Sequence, residues 1–196
     1  KNMKKVFLIG NIHVAILTAL VLINTALFDI IPHIHYPGNE SGMMIIKIIL
    51  IYALFSFLLT LIREFVKDLE DIEGDYAENS TTLAIVLGKR KTKFLSSVLI
   101  FFVIIIIAFW QYFQYQILSL KSFSWNGEIY ESVLIWGTDK YSTIYTTFLQ
   151  FSLLLFMLRL FYAKTKTDFY YLSQFNKVIM LLGICSIPIF TYCYLK

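Results

Sequence analysis

Charge is scarce in this sequence. Only 15% of its 196 residues are Asp, Glu, Lys or Arg, whereas 58% are hydrophobic and the mean hydropathy is +0.70. A soluble domain carries about a quarter charged residues, so too few are present here to cover a water-facing surface. Cysteine is scarce as well. Cys185 and Cys193 stand eight residues apart inside one apolar run, a spacing that suits neither a zinc site nor a disulfide within a straight helix. They read as small apolar fillers, and no redox compartment follows from them. No signal-peptide pattern, internal repeat or low-complexity segment is present, and the opening on Lys1 reads as a segment of a longer or trimmed chain. The formal net charge of +4 is modest, and no nucleic-acid partner is expected.

What is abundant is long apolar sequence. Runs of about 20 apolar residues recur, the length needed to cross a hydrocarbon core of about 30 Å. They are continuous rather than alternating, so they must cross as helices. The expected class is all-α: a polytopic transmembrane helical bundle of about five spans, with residues 1–196 forming a single transmembrane domain. The spans are expected at about Val6 to Phe28, Met43 to Ile62, Phe94 to Gln114, Ser142 to Tyr162 and Phe175 to Leu195. Asp29 to Gly42 holds two prolines, two glycines and no Lys or Arg, which reads as a loop. Gly74 is expected to interrupt the helix that leaves the second span, and Leu83 to Leu87 to form a short apolar turn before Gly88. The connection Tyr115 to Tyr141 is rich in aromatics suited to headgroup depth. Pro188 is expected to kink the last span.

Orientation follows from counting. With the N-terminus inside, thirteen of the seventeen Lys and Arg residues fall on the inner side and four (Lys47, Lys121, Lys140 and Lys196) on the outer. The positive-inside rule then puts the N-terminus in the cytoplasm of a cell whose inner membrane holds the protein. The stretch Arg63–Asp75 falls on the same side.

That stretch, Arg63-Glu64-Phe65-Val66-Lys67-Asp68-Leu69-Glu70-Asp71-Ile72-Glu73-Gly74-Asp75, packs six acidic residues against the end of an apolar run. Asp68, Asp71 and Asp75 fall at i, i+3 and i+7, which on one helix is a single face. Like charges stacked this way repel unless a cation lies between them. Carboxylates suit hard cations, and Mg²⁺ binds through one or two of them together with substrate phosphates. The expectation is a platform for Mg²⁺ and a diphosphate at the mouth of the bundle. Arg63 and Lys67, one turn apart, are candidates either for phosphate oxygens or for pairing with Glu70 and Asp71. A solvated helix end is the plain alternative for any such charge run.

The same residues, with Ser80-Thr81-Thr82-Leu83-Ala84-Ile85-Val86-Leu87-Gly88 after them, resemble the second aspartate-rich region of the UbiA prenyltransferase superfamily. Leu8-Ile9-Gly10-Asn11 is similar to the opening of that family's fifth helix. The wording around Asp71 to Asp75 looks closest to the branch that prenylates glycerol-phosphate acceptors. The resemblance implies nine transmembrane helices around a lipid-open cavity, in which two aspartate-rich motifs hold Mg²⁺ against an allylic diphosphate. It further implies transfer of a polyprenyl group to a lipid or aromatic acceptor. Carried over, Asp71 and Asp75 would be the catalytic metal ligands and Asp68 would support them. The family's first motif is missing, because no acidic pair precedes Asp29. The chain thus resembles the C-terminal half, helices five to nine, and is expected to be inactive alone. The rival expectation is a non-catalytic membrane binding or transport subunit with a divalent-cation site.

Other polar residues admit two readings each. Asn11 and Asn24 could donate to the diphosphate or acceptor, or simply bond between helices, at about 0.6 kcal/mol each in membranes. His13 could touch substrate or pack between helices. His33 and His35 form an H-x-H without an evident third ligand.

Overall fold

A computed structural model of the chain describes residues 8–30, 40–119, 123–125, 128–130 and 140–195, with side chains over 8–28, 45–112 and 140–192. His33, His35 and Cys193 fall outside the described side chains. The first helix, α1, spans Ile9–Thr25 and tightens into a π-helical turn at Ala26–Ile30. α2 covers Glu40–Glu70, α3 Ile72–Ala77, α4 Leu83–Ser119, α5 Lys140–Tyr162 and α6 Lys166–Leu195. Five of these helices are long and apolar enough to cross a membrane, as the apolar runs predict. Between α4 and α5 lies a short antiparallel pair, β1 (Phe123–Trp125) and β2 (Glu128–Tyr130), registered Phe123 to Tyr130 and Trp125 to Glu128. The aromatic connection is therefore in part a β-ribbon, while the architecture remains a helical bundle.

The helices outrun the apolar segments. α2 continues eight residues past Ile62, because Phe65, Val66 and Leu69 stay buried while charged residues occupy the remaining faces. α6 starts nine residues before the expected Phe175. Asp168 caps it, its Oδ2 accepting the backbone N–H groups of Lys164 and Thr165 at 2.9 Å each, and Phe169 and Leu172 are buried. α6 also continues through Pro188.

The packing has two centres with α2 common to both. On one side Leu58, Ile62, Val66 and Leu69 of α2 meet Ile100 and Val103 of α4, Leu153, Phe156 and Leu160 of α5, and Phe169, Leu172 and Ile179 of α6. On the other, Ala15 of α1 meets Leu61 and Phe65 of α2 and Leu83 of α4. Apolar burial does little to join helices in lipid, so polar contacts contribute to the assembly. Thr18 Oγ1 donates to Thr60 Oγ1 at 3.2 Å, Gln111 Nε2 to Thr146 Oγ1 at 2.6 Å, and the fully buried Asn176 donates from Nδ2 to the Leu59 carbonyl at 3.0 Å. Outward faces carry exposed Phe101, Phe102, Phe109, Phe148 and Phe151, as befits side chains facing lipid.

Gly88 breaks α4 near its start, at φ 80° and ψ 159°. That region is essentially confined to glycine. Thr92 spans the break, donating from Oγ1 to the Gly88 carbonyl at 3.1 Å and the Leu83 carbonyl at 3.4 Å. The leading turn Leu83 to Leu87 is thereby set at its own angle. A Cβ at Gly88 would meet nothing within 4 Å, so only the backbone opposes substitution. Gly88→Ala is expected to destabilise the fold by about 1–3 kcal/mol, measured by unfolding in detergent micelles. Unchanged stability would show that the break is not required.

Candidate functional site

The acidic stretch forms where three elements meet: the first turn of α1, the end of α2 with α3, and the start of α4. Asp68 is at the centre. Its Oδ2 accepts a hydrogen bond from Asn11 Nδ2 at 2.7 Å, across 57 residues of sequence. The Leu83 backbone amide, first in α4, and the carboxylates of Asp75 and Glu64 are close enough to act on it electrostatically. A helix N-terminus favours a nearby anion, so α4 and Asn11 both support a carboxylate that Asp75 and Glu64 oppose. Ala15 lies one turn beyond Asn11 with no exposed surface, which fixes α1 close against α2 at this level.

Asp71 does not share an unbroken helix with Asp68. α2 ends at Glu70, and Asp71 sits at φ −95° and ψ 7° as the cap of α3. The backbone stays nearly helical all the same: Asp71 N–H bonds the Lys67 carbonyl and Asp75 N–H the Asp71 carbonyl, both at 2.9 Å. The expected interruption at Gly74 lies instead at Asp71, and Gly74 is inside α3. The chain turns away only at Asn79, whose φ of 52° is left-handed, a conformation asparagine tolerates. The Ser80 N–H then bonds the Asp75 carbonyl at 2.9 Å.

The cationic candidates are arranged otherwise than expected. Arg63 Nη1 pairs with Glu64 Oε1 at 2.9 Å, not with Glu70 or Asp71, and its Nε is buried without a partner. Lys67 is exposed. Asn11 gives one of its two Nδ2 donors to Asp68. His13 is exposed on α1 and packs between no helices, and Asn24 is exposed too. Thr82, which precedes α4 and whose carbonyl accepts the Val86 N–H at 3.1 Å, keeps a buried Oγ1 with no partner. Sequence reading missed Thr82, Glu64 and the Leu83 amide. A threonine immediately before an apolar run was the available signal for the first.

The donor chemistry suits a hard cation: half-buried carboxylate oxygens with few compensating charges. Among the described residues, however, no three His, Cys, Asp or Glu side chains converge closely enough to hold a metal. On the opposite face of α2, Ile48, Tyr52, Phe55 and Leu59 line an apolar cavity closed by α4, α5 and α6.

Comparison with known proteins adds a likeness. The chain is 35% identical over 100 residues to a digeranylgeranylglyceryl phosphate synthase of Sulfolobus acidocaldarius, covering 51% of this chain and 32% of that one. Enzymes of the same name match from Sulfurisphaera tokodaii (35% over 113 residues, 58% and 36%) and Methanothermobacter thermautotrophicus (38% over 89 residues, 45% and 27%). The chain covers about a third of the length of these relatives. No family model matches, and no solved structure does.

The Asn11–Asp68 bond can be weighed directly. A hydrogen bond to a charged group contributes about 1.5–3 kcal/mol in soluble proteins and less in membranes. A double-mutant cycle of Asn11→Ala and Asp68→Ala, followed by unfolding in micelles, is expected to give a coupling of about 1 kcal/mol or more. Additive effects would show that the two side chains act independently.

Proposed function

We propose that this chain contributes to a prenyltransferase that moves a geranylgeranyl-type group from its diphosphate to a glycerol-phosphate lipid. The observation that carries this reading is the likeness to several archaeal synthases named for a digeranylgeranylglyceryl phosphate product. The name implies an acceptor lipid that already bears one such chain and a free glycerol hydroxyl. An aromatic acceptor, equally open from sequence, has no comparable support. In this reading the membrane setting is functional, since donor and acceptor are both lipids. We place the acidic face on the cytoplasmic side of the cell membrane, on the distribution of Lys and Arg.

The residues divide the work as follows. Asp71 and Asp75 supply oxygen ligands toward Mg²⁺, and Asp68 supports them from a position set by Asn11 and the Leu83 amide. Bound between these carboxylates and the donor, Mg²⁺ would act as a Lewis acid on the departing diphosphate. Arg63, whose Nε is buried without a partner, and the exposed Lys67, one turn before Asp71, are the candidate cations for phosphate oxygens. The allylic carbon loses its bond to diphosphate oxygen and gains one to the acceptor hydroxyl oxygen, which releases its proton. The remaining metal ligands are proposed to come from segments of the protein outside these residues.

In the complete protein, Asp71→Ala and Asp75→Ala are expected to abolish transfer of a labelled geranylgeranyl group to the phosphate lipid. Asn11→Ala is expected to lower the rate by about 10–100-fold and to raise the Mg²⁺ concentration needed, as loss of a carboxylate's supporting partner does. Full activity in both aspartate variants would overturn the assignment.

A further inference from the structure

A second charged feature lies at the same end of the bundle and has no part in the reaction above. Beyond the Gly88 break, α4 presents Lys89, Arg90 and Lys93 to the turn between α5 and α6, which adds Lys164. These four cations line one groove with Phe94 and Phe161 on its walls. Lys93 fixes the geometry. Its Nζ donates to the Phe161 carbonyl at 2.7 Å and the Ala163 carbonyl at 2.8 Å, satisfying carbonyls orphaned at the end of α5. That leaves one of its three donors unused. Lys89, Arg90 and Lys164 make no ion pair among the described residues. Asp168, the nearby acid, has its Oδ2 held by two backbone amides and offsets part of the Lys93 charge, which leaves Lys89, Arg90 and Lys164 to set the groove's positive character.

The groove encloses about 670 Å³, within the roughly 300–1,000 Å³ of small-ligand sites. Its walls are mixed in a telling way. Phe94 and Phe161 are 64% and 51% exposed, and they continue into the lipid-facing sides of α4 and α5. Four cations at the level where spans end, bordered by exposed aromatic rings, match a phosphate head joined to a hydrocarbon tail. A free phosphate would use the cations and leave the rings uncovered.

We propose that this groove binds the headgroup of an anionic membrane phospholipid, whose chains lie along Phe94 and Phe161. The site stands independently of the prenyl-transfer reading. A general attraction of basic loops to the membrane surface would depend on total charge; the groove depends on which cations are removed.

The test reads proximity at Phe94. The full chain carrying Phe94→Trp is reconstituted in vesicles containing brominated phosphatidylglycerol or brominated phosphatidylcholine, and quenching of the new tryptophan is measured above the background of the three native ones. Quenching is expected to favour phosphatidylglycerol by roughly fivefold or more. Adding Lys89→Gln, Arg90→Gln and Lys164→Gln together should remove that preference. A control with equal charge loss, Lys91→Gln, Lys166→Gln and Lys177→Gln, should retain it. Quenching by the zwitterionic lipid reports that each variant is folded and inserted. Equal quenching by the two lipids, or equal loss in both triple variants, would overturn the proposal. So would loss of the preference on adding inorganic phosphate at constant ionic strength, which would mark the groove as a site for free phosphate.

Discussion

Hydrocarbon does not solvate polar groups, and most of this structure follows from that. Backbone amides and carbonyls in the spans must pair within their own helices, which accounts for five long helices and for the placing of the β-ribbon between α4 and α5. Much of the side-chain polarity within the spans is paired too, though Asn176 Oδ1 is buried without a partner among the described residues. Thr18 meets Thr60, Gln111 meets Thr146, Tyr145 donates to the Leu182 carbonyl at 2.6 Å, and Asn176 reaches Leu59. Charge is held back to the helix ends. There it gathers into two opposed features, the acidic face at the end of α2 and the basic groove between α4 and the turn joining α5 to α6.

α2 connects these levels. One of its faces packs into the four-helix core and borders the apolar cavity; the other receives α1 and ends in Glu64 and Asp68. Nine residues separate Leu59 from Asp68, two and a half turns, which puts them on opposite sides of the helix. The apolar cavity and the acidic site are therefore distinct regions served by a single element.

The acidic site is costly by construction. Half-buried Asp68 bears first the cost of burial and then repulsion from Asp75 and Glu64, with Asn11 and the Leu83 amide as partial compensation. Arg63 Nε and Thr82 Oγ1 are buried there without a partner among the described residues.

Composition and periodicity alone determined that the chain is a bundle of five membrane helices, because apolar length is a one-dimensional property readable residue by residue. The break after the second span was expected at Gly74 and lies at Asp71, and the last helix begins well before Phe175, since buried Phe169 and Leu172 prolong it beyond the hydrophobic stretch. Only the tertiary structure decided what Asn11 does. Its amide meets Asp68 because α1 comes to rest on α2, 57 residues away. It likewise decided that Arg63 turns to Glu64, that α2 yields to α3 at Asp71, and that Lys164 joins Lys89 and Arg90 in one groove. Each is a matter of which surfaces meet, and that depends on contacts between segments far apart in the chain.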